Sequence, residues 1–168
     1  MPRLKAQELQ GFLAEPGVLM RVAVVRSDGS PLVTPIWFLY EDDAIYFTPR
    51  EKSEWFGCLR HDPRVALSID EQPLPYRKVL VEGRAELLFD VGQDGQWRDL
   101  YRRIVARYVP PDAAEAYIQN TIEQPRGLYR VLLDGAEVKS WRMPVTGEAA
   151  EGIWHHRYYI PGTKFSEE

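Results

Sequence analysis

Six consecutive residues carry much of the chemistry this sequence offers. Thr48-Pro49-Arg50-Glu51-Lys52-Ser53 sets two hydroxyls and two cations just ahead of a segment with helical character. Ser53 is a candidate N-cap for a helix over residues 54–60, stopped before Pro63. The free N–H groups of a helix N-terminus favour negative charge. Hydroxyls, cations and amides together suit an anion such as a phosphate. The same residues also read as a solvated, charged turn with a helix cap, and composition alone leaves both open.

The other reactive residue types point elsewhere. Cys58 is the single cysteine, so no intrachain disulfide forms and a reducing compartment is expected. Its place in the middle of a short helix reads as a packed side chain rather than a nucleophile. His61, His155 and His156 have no spacing that closes a coordination set, so no metal is expected. There is no G-x-S-x-G, no P-loop and no dinucleotide fingerprint. The net charge of −4 argues against general nucleic-acid affinity. No run of 18 apolar residues is present, and MPRLKAQELQ lacks a signal-peptide core. A cytoplasmic chain without a membrane partner is expected.

At 168 residues one domain is the default, and a chain of this size buries about 70% of its unfolded surface. A single domain over residues 1–168, with a tail from about residue 142, fits. Leu9, Phe12 and Leu13 share one side of a short helix over residues 5–14, ended by Pro16-Gly17. Residues 18–25 read as a buried strand. Ser27-Asp28-Gly29-Ser30 is a turn into a second strand over residues 31–40. A third strand covers residues 44–48. Pro35 cannot donate to a ladder, so its strand belongs at an edge or carries a bulge. Residues 64–70 and 77–89 alternate as strands, with Gly83 as a bend. Asp94 is a candidate cap for a helix carrying Trp97, Tyr101, Ile104, Val105 and Tyr108, and a further helix covers residues 113–120. Residues 126–141 return as strands with a turn at Asp134-Gly135. Hairpins with helices outside predict a mainly β chain with peripheral helices, an antiparallel barrel rather than a parallel sheet.

Several of these segments resemble one family. Val33-Thr34-Pro35-Ile36-Trp37, then Phe47-Thr48 with the basic, serine-containing segment, then Asp62-Pro63-Arg64-Val65-Ala66-Leu67, then Val81-Glu82-Gly83-Arg84-Ala85, resemble the pyridoxamine 5′-phosphate oxidase-like superfamily of flavin-binding split β-barrels. The pattern looks closer to its small flavin and deazaflavin (F420) members than to the vitamin B6 oxidase. The likeness implies an antiparallel split barrel that binds FMN between the subunits of a homodimer. It implies that Val33, Thr34, Pro35, Ile36 and Trp37 run along the isoalloxazine ring, and that Thr48, Arg50, Lys52 and Ser53 hold the ribityl phosphate. Trp141, near the end of the last core strand, matches the residue with which a second subunit closes the site. Where many members carry a basic pair after the serine, this chain has Glu54 and Trp55. Trp55 could stack on the cofactor or substrate, or with Phe56 anchor its helix to the barrel.

Three functions are compatible with this reading. The first is an FMN-dependent oxidoreductase acting on an unidentified small molecule. The second uses F420, whose acidic tail would follow a basic track of Arg50, Lys52, Arg60 and Arg77. The third is a flavin- or haem-binding module without turnover. The substrate side of such sites is built by variable loops and the tail, the parts of the chain that differ most between members.

Overall fold

Nine strands form two antiparallel sheets among residues 2–148, the part of the chain described by the computed structural model. The first sheet has the order β2-β1-β5-β6-β9, with β1 Met20–Val25, β2 Pro31–Ile36, β5 Arg64–Asp70, β6 Lys78–Arg84 and β9 Glu137–Trp141. The second runs β3-β4-β8-β7, with β3 Leu39–Glu41, β4 Ala44–Phe47, β7 Glu86–Phe89 and β8 Leu128–Leu132. Four helices flank them: α1 Ala6–Ala14, α2 Glu54–His61, α3 Arg98–Ala106 and α4 Pro111–Asn120. This is the mainly antiparallel architecture of the split barrel.

Local signals account for the hairpins. Between β1 and β2, Gly29 takes φ +84°, while Asp28 accepts from the Ser30 amide and hydroxyl at 2.9 and 2.7 Å. β2 is an edge strand, and Pro35 lies opposite Arg21 there, where its missing donor costs no ladder bond on the outer side.

Two expected strands are each divided between the sheets. The strand over residues 31–40 breaks at Trp37-Phe38, so that β2 and β3 belong to different sheets. Phe38 is fully buried there, and its amide donates to the Tyr108 hydroxyl at 3.1 Å instead of to a strand. The strand over residues 77–89 breaks at Ala85, whose amide donates to the Pro63 carbonyl at 2.8 Å. Gly83 marks a close approach of the two sheets: a Cβ there would lie 3.3 Å from Ala136 Cβ and 3.4 Å from Val131 Cγ1. The Asp134-Gly135 turn makes a third crossing, from β8 to β9.

The core lies between the sheets. Met20, Val22 and Val24 of β1, Leu67 and Ile69 of β5, and Val79 and Val81 of β6 face Ile45, Phe47 and Val131 across it. α1 seals one side with Phe12 and Leu13. A second cluster joins Trp97, Tyr101, Val105 and Ile118 to Leu128 at the head of β8. Burying each large side chain contributes roughly 1.5–3 kcal/mol. Asp94 opens a 3₁₀ turn, Asp94–Trp97, and rather than capping a helix it accepts the Arg126 amide at 3.0 Å. Tyr108 falls beyond the end of α3. Among the described residues no helix is long and apolar enough to cross a membrane.

Candidate functional site

The end of β2, the segment leading into α2, and the α3–α4 pair meet around a cavity of about 300 Å³. Thr34, Pro35, Ile36 and Trp37 form one side of it. Thr48, Arg50, Ser53 and Trp55 come from the segment after β4 and the start of α2. Tyr101, Tyr117 and Arg126 complete it from α3, α4 and the head of β8.

Backbone pairing fixes the cationic side. Gly127 donates to Pro49 at 3.1 Å and Glu51 to Pro125 at 2.9 Å, so Arg50 and Arg126 become antiparallel cross-strand neighbours. Gly127 is required by space: a Cβ there would lie 2.8 Å from Phe56 Cε2, so α2 could not pack this closely on β8. Ser53 occupies the N-cap position of α2, but its hydroxyl makes no cap bond. It turns back and donates to the Arg50 carbonyl at 2.6 Å. Glu54 is engaged by Arg26 at 2.6 Å.

Aromatic rings form the rest of the lining. Trp37 stacks on Tyr108, with centroids 5.0 Å apart and planes 3° apart, and tilts against Tyr117 at 5.2 Å. The Tyr108 hydroxyl in turn donates to the Val18 carbonyl at 2.8 Å. Trp55 lines the cavity and also packs on Phe47 at 6.0 Å, so both sequence readings of this indole describe part of its surroundings. Phe56 is buried edge-on against Tyr129 and acts as the anchor.

The electrostatics are one-sided. Two arginines line the cavity and no carboxylate does, in a chain of net charge −4. Arg126 is only 6% exposed, and its guanidinium carbon lies 4.9 Å from the Tyr101 ring centre. Burial lowers its pKa, and the Arg50 charge adds to the effect. The Tyr101 hydroxyl is pushed up by burial and drawn partly back by Arg126. Arg126 Nη2 and the Tyr101 hydroxyl are both buried without a hydrogen-bond partner among the described residues.

The cavity therefore gathers Thr34, Pro35, Ile36, Trp37, Thr48, Arg50, Ser53 and Trp55. It does not gather Val33, Lys52 or Trp141. Val33 is 59% exposed, on the alternate side of β2 from Thr34 and Ile36. Lys52 is exposed on the turn. Trp141 is buried in β9, opposite Lys78, at the far edge of the first sheet. The basic track drawn for F420 is not assembled either: Arg60 pairs with Asp90, and Arg77 with Glu15 and Glu71. Nothing local in the sequence marks Tyr101, Tyr117 or Arg126 as site residues. Tyr101 and Tyr117 look like ordinary helix-face aromatics, and the Arg50–Arg126 pairing is non-local. No group of three or more His, Cys, Asp or Glu side chains able to hold a metal occurs among the described residues, and Cys58 is buried on α2. His155 and His156 lie outside those residues.

Residues 6–137 match the family model for pyridoxamine 5′-phosphate oxidase. No curated protein matches the chain. Among solved structures, an F420 reductase is 26% identical, with a TM-score of 0.55 over 73% of this chain and 90% of that one. An FAD-binding protein from Mesorhizobium loti is 24% identical, with a TM-score of 0.58 over 83% of this chain and 97% of the other. An FAD- and heme-binding protein from Mycobacterium smegmatis is 21% identical, with a TM-score of 0.62 over 89% of this chain and 77% of its own; at this identity the likeness is one of fold. Since the family match spans well over half of the sequence, the chain belongs to the pyridoxamine 5′-phosphate oxidase family.

Proposed function

We propose that this chain is a flavin-dependent oxidoreductase, holding FMN in the cavity between β2 and the start of α2, and passing electrons to or from a small molecule. The observation that carries the reading is the joining of an edge-strand end, residues 34–37, to Arg50, Thr48 and Ser53 in a space without carboxylates. The volume, about 300 Å³, is at the lower end for small-molecule sites, as suits a ring only partly enclosed by one subunit. A homodimer would supply the remaining cover.

The chain's own residues bind and orient. Arg50 would hold the phosphate through charge-assisted hydrogen bonds. The Ser53 hydroxyl spends its proton on the Arg50 carbonyl, so it must rotate before it can donate to that phosphate. Backbone groups of residues 34–37 would hold the polar edge of the ring, beside Trp37, which Tyr108 keeps in place by stacking. FMN, when bound, supplies one- and two-electron transfer, while the protein supplies orientation, electrostatics and exclusion of water.

The F420 alternative draws support from the 26% identical F420 reductase, and is weakened by the neutralised Arg60 and Arg77. Mass identification of the co-purifying cofactor, followed by titration with FMN and F420, decides between them. Tight FMN binding is expected; F420 binding with FMN excluded would overturn the reading. Reduction of bound FMN by no donor would leave a binding module. Light scattering tests the dimer, and a mass near 19.4 kDa at micromolar concentration would refute it.

A further inference from the structure

Ser53 and Trp55 line the cavity, and Glu54 stands between them in the chain without doing so. It is the first residue of α2, four positions after Arg50, so it places an acid at the mouth of a site read as holding a phosphate. Its side chain faces instead a crevice of about 230 Å³ on the hairpin side of α2, shared with Arg26, Ser27, Gly57, Cys58 and His61. Arg26 holds it there. The Arg26 Nε donates to Glu54 Oε1 at 2.6 Å, while Nη1 donates to the Pro31 carbonyl at 2.8 Å and to the Ser30 hydroxyl at 3.4 Å. The turn carrying Arg26 is closed by its own backbone: the Arg26 amide donates to the Ser30 carbonyl and the Gly29 amide to the Arg26 carbonyl, both at 2.9 Å. The guanidinium is thus fixed by the β1–β2 hairpin, and the carboxylate is the partner drawn to it.

We propose that Arg26 is a positioning residue for the anion site: it keeps the Glu54 carboxylate on the hairpin side of α2, away from the phosphate that Arg50 and Ser53 would hold. The pair adds little to stability, since the Glu54 side chain is 62% exposed. Its effect lies in where it keeps a negative charge. The Ser53 hydroxyl does not cap α2, so the N–H groups of the first turn carry no side-chain acceptor from the N-cap and favour an anion. A released Glu54 carboxylate turns toward those same groups and competes with a phosphate for them. The proposal rests on the cofactor reading above, and adds to it a residue outside the cavity.

FMN and riboflavin, which differ by the phosphate alone, are the probes, and binding to the full chain is read from flavin fluorescence. The parent should prefer FMN. Glu54→Gln alone should leave the FMN Kd within about twofold, because Arg26 already holds that charge aside. Arg26→Met should weaken FMN about threefold or more and riboflavin less than about twofold. Adding Glu54→Gln to Arg26→Met should recover most of the loss, and this non-additivity is the mark of positioning. Arg26→Gln, which keeps a donor for the Pro31 carbonyl, serves in the same cycle if the methionine variant does not fold. An equal gain from Glu54→Gln with and without Arg26 would show two charges acting independently, and would overturn the proposal. Parallel losses of FMN and riboflavin on Arg26→Met would overturn it too, reducing the pair to a clip between hairpin and helix. A parent that binds FMN no better than riboflavin, or binds neither, removes the phosphate reading and this inference together. A parent that prefers FMN, with additive variants, removes this inference alone.

Discussion

Arg77 and Arg126 are the same side chain set in opposite surroundings. Arg77 lies over the Phe12 ring at 4.5 Å and places its donors on Glu15 and Glu71 at 2.6–2.8 Å. Arg126 lies over the Tyr101 ring at 4.9 Å and meets no carboxylate. In both, an aromatic face supports the flat guanidinium; the acids differ. The first arrangement is complete in itself and ties α1 to the β5–β6 connection. The second joins the same kind of ring contact to no carboxylate. The comparison teaches that burial over an aromatic ring does not by itself bring a counter-charge: the two arginines share the first and differ in the second.

The largest expected effect belongs to Arg77. Arg77→Met strands two carboxylates that are partly covered, and should cost roughly 1–3 kcal/mol of stability in chemical denaturation. Arg126→Met in the ligand-free protein should cost nothing or raise the melting temperature, because it removes an uncompensated charge. Equal losses in the two variants would break the comparison and make Arg126 structural.

Arg50→Ala should weaken FMN about tenfold or more while leaving the ligand-free melting temperature unchanged. Isothermal titration and a thermal scan read the two quantities, and parent-like FMN affinity would return the segment to a charged turn. Thr34→Phe sharpens the same point from the strand side: a folded variant should lose FMN binding, and unchanged affinity would place the ring elsewhere.

A pH titration separates the two arginine environments more gently. The Glu71 carboxyl is held below its usual value, first by its hydrogen bonds from Arg77. A depressed folded-state value means stability that is present above the ordinary carboxylate range and is lost as pH falls through the lowered one. The parent should therefore lose stability through the acid range, and Arg77→Met should lose less over the same interval. Identical acid profiles would show that the pair contributes nothing. The smallest effect is expected for Lys52→Ala, less than twofold on FMN affinity, since Lys52 is exposed and outside the cavity.

The sequence displays what is local. The turn at residues 27–30, the edge position of Pro35 and the helix after Ser53 follow from residue types within a few positions of each other. The breaks at Phe38 and Ala85 do not. Each lies within an apolar run that reads as one strand, and each is imposed by a distant partner, the Tyr108 hydroxyl or the Pro63 carbonyl. The same limit hid three of the eleven residues that line the cavity, Tyr101, Tyr117 and Arg126. Thr48, Arg50 and Ser53 are neighbours in the chain, while Arg126 joins them through a bridge set by sheet register. The aromatic-rich segment with Trp154, Tyr158, Tyr159 and Phe165 lies outside the described residues.

The clasp at Tyr108 also gives the molecule an internal reporter. The Phe38 amide is secured by a phenol beyond the end of α3 rather than by a strand, so its proton exchanges with solvent only when that phenol swings away. Its deuterium uptake then counts the local openings at Tyr108 beside the cavity, while amides in the middle of β1 and β5 count global unfolding. A molecule seated against Trp37 must slow the first clock without touching the second.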